Sequence, residues 1–146
     1  MAISLFSTRG RRGRLPPTIS VNCHLLNLFD ESSTLPSSDF NCKFILITNS
    51  DTLWLVFGPL STYRYHAQLV QRFCVINDIG YSWVKKHDLL EILDDDIEIK
   101  GGGVINFDDK KQILEFNGYS TAYGKYDRSL LKEFIENSTP IKGLKV

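Results

Sequence analysis

The chain has 146 residues, 42% of them hydrophobic and 12% aromatic, enough for one domain with a real core. Lysine plus arginine and aspartate plus glutamate stand at 17 each, but Arg9, Arg11, Arg12 and Arg14 all lie in the first fourteen residues, so the remainder carries 13 cationic side chains against 17 acidic ones. An acidic body excludes a nucleic-acid platform, which needs a basic face to neutralise phosphates. No apolar run reaches the ~18–20 residues that span a bilayer, so no membrane insertion is expected.

Cys23, Cys42 and Cys74 are an odd set without CxxC spacing, which indicates neither a disulfide framework nor a zinc site and points to a reducing compartment. Cytoplasmic location is the expectation. Residues 1–18 are acid-free and arginine-rich and reach Leu15-Pro16-Pro17, so they read as a disordered basic tail. The alternatives are an organellar transit peptide or an arm for an anionic partner. Residues 19–146 form the domain.

In chain order, Ile19 to Phe29 reads as a strand and Asp30 to Asp39 as a loop. Lys43 to Thr48 is a nearly continuous apolar run, the pattern of a strand buried on both faces. Asn49-Ser50-Asp51 turns it into a second strand, Leu53 to Phe57. After the break at Pro59, Leu69, Val70, Phe73 and Cys74 form the stripe of an amphipathic helix that starts at Tyr65 or His66. Val84, Leu89, Leu90 and Leu93 predict a second helix over Ser82 to Leu93, with Asp94-Asp95-Asp96 as a solvated turn and Tyr81 and Trp83 read as core residues.

Ile97 to Lys100 alternates as a strand, enters Gly101-Gly102-Gly103 and continues through Phe107; Asp108 to Lys111 turns the chain back into Gln112 to Asn117. Asp127 caps a last helix carrying Leu130, Leu131, Phe134 and Ile135, Pro140 ends it, and Ile141 to Val146 allows a short final strand. Hairpins mixed with helices give an α+β domain, a mixed sheet with helices packed on it.

Three stretches carry the chemistry: Tyr65-His66-Ala67 at a helix start, the glycine triplet, and Gly118-Tyr119-Ser120-Thr121-Ala122-Tyr123-Gly124. A helix N-terminus offers unpaired N–H donors and a positive dipole end, so an anion can be held there. The same field favours a neutral imidazole, able to accept a proton from water or to attack phosphorus near neutral pH. On pattern alone, however, His66 reads as a surface or capping histidine, Lys43 as a strand-edge lysine, and the small-residue loop as a tight crossing. His24 and His87 share no ligand spacing, and no metal site is expected.

These stretches, with Cys42 to Ile47 and Asp109-Lys110-Lys111, resemble the Janus/ocnus family, which includes metal-independent phosphohistidine phosphatases. The resemblance covers roughly residues 41–135 and is most specific in the order glycine triplet, strand, Gly-Tyr-Ser-Thr-Ala-Tyr-Gly. It implies that His66 takes part in the chemical step as general base or nucleophile and that Lys43 stabilises charge on the transferring phosphoryl group. It further implies that Tyr65, His66, Ala67, Ser120 and Ala122 line a phosphate site. The implied partner is a phosphorylated protein, the implied cofactor none, and the expected state a monomer. The chain departs from the family pattern in two places: Val104 stands where an arginine follows the triplet, and the neutral Phe57-Gly58 stands where another arginine precedes the histidine loop. Arg64 is a candidate replacement cation. Two functions therefore remain open, a phosphatase acting on a P–N bond and a non-catalytic module that binds phosphorylated or acidic partners.

Overall fold

The computed structural model describes residues 22–86, 88–138 and 140–141. The arginine-rich tail, His87 and residues 142–146 of the expected last strand lie outside the described residues; Ile141 is in a turn and fully buried.

Strands β1 (Asn22–Asn27), β2 (Phe40–Asn49) and β3 (Thr52–Phe57) are followed by helix α1 (His66–Ile76) and strands β4 (Tyr81–Lys85) and β5 (Leu89–Ile92). Strands β6 (Ile97–Asp108) and β7 (Ile113–Asn117) and helix α2 (Arg128–Asn137) complete the domain. Five strands make one sheet in the order β1-β3-β2-β6-β7, parallel only between β1 and β3, and β4-β5 is a separate two-stranded hairpin. The fold is thus a mixed sheet with helices on it, a single α+β domain.

The central strands are apolar on both faces because both faces are covered. Phe44 and Leu46 of β2 enter a core with Phe134 and Leu131 of α2, while Ile45 and Ile47 enter a second core with Leu69, Val70 and Phe73 of α1. Strand β3 divides in the same way, Leu55 and Phe57 toward α2 and Val56 toward α1. The two strands join through Ser50-Asp51, with Ser50 at φ 55°. Asp127 caps α2 by accepting a hydrogen bond from Leu130 N–H at 3.1 Å.

The segment Ser82 to Leu93 is corrected by the structure: it is a hairpin, not a helix. Val84 and Leu93, two residues of the supposed helical stripe, are 60% and 61% exposed, whereas Leu90 is buried and Tyr81 and Trp83 pack against the α1 core. The true period is two, and its aromatic and branched residues suit a strand.

Strand β6 carries the glycine triplet through a bulge in its pairing with β2. Ile45 faces Gly102 and Ile47 faces Ile99, so Leu46 stands against both Lys100 and Gly101. Gly101 has φ +84°, and a Cβ there would lie 2.1 Å from the Lys125 carbonyl oxygen. At Gly102 a Cβ would lie 2.4 Å from the Phe44 oxygen and 2.8 Å from Cδ2 of His66. The returning chain at Gly124 to Tyr126 and the His66 ring both use the room that the absent side chains leave.

Gly101→Ala therefore loses at least about 3 kcal/mol of stability through strain and backbone collision. Gly124→Ala, also at φ +84° but with nothing within 4 Å of the new Cβ, loses only about 1–2 kcal/mol. Urea denaturation of the two variants checks the contrast.

Candidate functional site

His66 is the first residue of α1, and Tyr65 before it has extended backbone. Gln68 Oε1 accepts the Tyr65 N–H at 3.0 Å, and the first-turn N–H groups of His66 and Ala67, at the helix start, have no intrahelical acceptor. The first turn has no acidic residue, so nothing there competes with an anion for the helix end.

His66 is 7% exposed, and its Nε2 lies 3.0 Å from the Gly103 carbonyl oxygen. A carbonyl can only accept, so Nε2 carries the hydrogen and the neutral ring keeps its lone pair on Nδ1. Burial holds the His66 pKa below its ordinary value; the Gly103 hydrogen bond acts against this, and the positive charge of Lys43 acts with it.

Lys43 sits on β2 beside Val104 of β6 in the cross-strand register. It alternates with Phe44 and therefore lies on the α1 face of the sheet, where His66 is. The loop after β7 forms the opposite wall. Ser120 and Gly124 exchange backbone hydrogen bonds of 3.0 and 2.7 Å, and Ser120 Oγ accepts the Tyr123 N–H at 3.1 Å. The Ser120 hydroxyl hydrogen is then free to point at a ligand. Gly124 O also accepts from Gly102 N–H at 3.1 Å, which fastens the loop to the triplet.

A cavity of about 510 Å³ lies between these walls, lined by Lys43, Tyr65, His66, Ser120 and Ala122 together with Tyr119, Thr121 and three residues of the β4–β5 hairpin, Lys85, Asp88 and Leu89. That volume suits a small ligand or a side chain of one. The hairpin is held against the loop by Tyr123, whose hydroxyl accepts the Leu90 N–H at 2.9 Å and donates to the Leu90 carbonyl at 3.0 Å.

Of the residues singled out from the sequence, five line this cavity. Ala67 does not; it is fully buried under α1, so only its backbone N–H is directed as part of the first turn. Arg64 is exposed and outside the lining. Neither family-arginine position supplies a cation: Val104 is off the lining, and Phe57 is buried in the core on the α2 side. The second cation is Lys85, on the segment whose spacing predicts a helix; only its alternation with Trp83 signals a strand.

Cys42 and Cys74 are buried, with thiols pushed by burial up to about 12 and about 11, and no cysteine lines the cavity. Among the described residues no group of histidine, cysteine or carboxylate side chains is arranged to hold a metal ion. No helix among them is long and apolar enough to cross a membrane.

A family model for the Janus/Ocnus family (Ocnus) matches residues 39–141, from the start of β2 to just past α2. The chain belongs to the Janus/Ocnus family. None of the curated proteins compared with it matches. The match takes in all ten residues that line the cavity, so the pocket lies wholly within the Janus/Ocnus part of the chain.

Two outcomes follow from the geometry. Tyr123→Phe leaves the Leu90 N–H and carbonyl without their partner and costs about 2 kcal/mol, read from the urea midpoint. His66 favours its neutral form, so it contributes stability that is fully present above pH 6.5, its ordinary pKa, and is lost as the pH falls toward its depressed folded value. The stability difference between wild type and His66→Gln, whose amide can still donate to Gly103, is therefore largest above pH 6.5 and narrows in acid.

Proposed function

We propose that the protein is a metal-independent phosphatase of the phosphohistidine phosphatase type, hydrolysing a P–N phosphoryl bond on a protein substrate. The observation that carries this reading is the His66 ring at the start of α1 with its Nε2 3.0 Å from the Gly103 carbonyl oxygen; that contact calls for the hydrogen on Nε2, and burial favours the neutral ring, which leaves the Nδ1 lone pair for chemistry.

In this reading the phosphoryl oxygens sit on the first-turn N–H groups and the Ser120 hydroxyl, and Lys43 and Lys85 offset the negative charge. As general base, His66 Nδ1 takes a proton from water while the water oxygen bonds to phosphorus. The P–N electron pair leaves with nitrogen, which takes a proton from the imidazolium. As nucleophile, Nδ1 bonds to phosphorus while the substrate P–N electron pair leaves with nitrogen, which takes a proton from solvent; water then bonds to phosphorus, and the Nδ1–P electron pair returns to the ring. Both routes need the neutral ring and the same tautomer. A P–N bond is labile enough for positioning and charge stabilisation to drive its cleavage.

The placement of Val104 and Phe57 favours a second reading, a module that binds phosphorylated partners without turnover, since lysines alone replace two planar, bidentate arginines. Three free cysteines fit action in the cytoplasm, and a monomer suffices because one chain supplies the whole cavity.

Phosphate release from phosphoramidate and from a phosphohistidine peptide, with chelator throughout, tests the proposal. His66→Ala is expected to lower turnover by about 100-fold or more and Lys43→Met by about 10-fold or more. Binding of the phosphopeptide with no wild-type turnover establishes the second reading instead.

A further inference from the structure

The β4–β5 hairpin brings an acid into a cavity otherwise suited to an anion. Asp88 is half-buried and lines the cavity with Lys43, Lys85 and the N-terminus of α1, in a turn closed by its N–H on the Lys85 carbonyl at 3.0 Å. Its carboxylate takes part in no ion pair among the described residues; the ion pairs there are Arg72–Glu31 and Lys100–Glu98. The hairpin is not a loose flap, since Leu90 is buried in the α1 core and both of its backbone polar groups are bonded to Tyr123. Asp88 is therefore held at the cavity wall.

A carboxylate so placed opposes a phosphoryl group unless the ligand brings a positive charge of its own. The rim offers room for one. Tyr65 and Tyr119 are 46% and 67% exposed, and their rings can cover the stem or the charged head of a lysine or arginine.

We propose that Asp88 reads the charge beside the phosphoryl group and selects phosphorylated peptides that carry lysine or arginine next to the phosphorylated residue. This rests on the phosphoryl-pocket reading above and adds the class of peptide that the pocket takes. The acid comes from the hairpin, whereas His66, Lys43 and Ser120 of the phosphate cradle come from α1, β2 and the loop after β7. Lys85, three residues earlier in the same turn, serves the phosphate.

The test is calorimetric binding of two peptides that carry a stable phosphonate analogue of phosphohistidine, one flanked by lysine and one by glutamate. Wild type is expected to prefer the lysine peptide about fivefold or more, with a preference that shrinks as salt is raised. Asp88→Asn should remove most of this ratio and Asp88→Lys should reverse it. Equal wild-type affinities, a ratio that persists in Asp88→Asn, or binding of neither peptide overturns the proposal. Wild-type hydrolysis of phosphoramidate, which has no flanking residue, reports on catalysis alone. Its absence beside an intact lysine preference removes the phosphatase reading and leaves the role of Asp88 standing.

Discussion

Three side chains that are missing from β6 govern the rest of the molecule. At Gly101 the returning chain's carbonyl occupies the place of a Cβ, at Gly102 the Phe44 backbone and the His66 ring do, and at Gly103 the Asn117 carbonyl does, 2.4 Å from the would-be Cβ. Only with this close approach can α1 set its first residue against the sheet backbone and hydrogen-bond the Gly103 carbonyl. The same stretch receives the loop after β7, through Gly102 N–H on Gly124 O. Helix end, strand and loop thus meet at one point, and the cavity is the space left between them.

The electrostatics follow from that packing. Burial disfavours a charged imidazole, and the positive charge of Lys43 adds to the effect. The hydrogen bond to Gly103 works against this trend but also decides which nitrogen holds the proton. The outcome is a neutral imidazole whose lone pair is on Nδ1, with Lys43 and Lys85 in the same cavity lining. The opposing charge of Asp88 is the one element that a bare phosphate would not call for, and it comes from the hairpin rather than from the sheet.

Much of this was legible in the sequence. The unbroken run Lys43 to Thr48 announced a strand covered on both faces, and the α1 stripe placed His66 at a helix start, because burial patterns of central elements are written locally. The hairpin was not legible: Val84, Leu89, Leu90 and Leu93 imitate helical spacing, and what overrules it is tertiary. Leu90 is claimed by the α1 core and by Tyr123, whereas Val84 and Leu93 stay in water. Lys85 and Asp88 were consequently invisible as pocket residues. Arg64 was an inference from distance along the chain, which does not say which way a side chain faces; the structure leaves it outside the cavity.

The most direct measurement is of the His66 ring itself, by nitrogen NMR on protein with labelled histidine at neutral pH. The account predicts a neutral ring with the proton on Nε2 and an unprotonated Nδ1, whose signal moves when inorganic phosphate is added. A charged ring, or a neutral one with the proton on Nδ1, would contradict it, because neither has the Nδ1 lone pair on which the proposed chemistry depends.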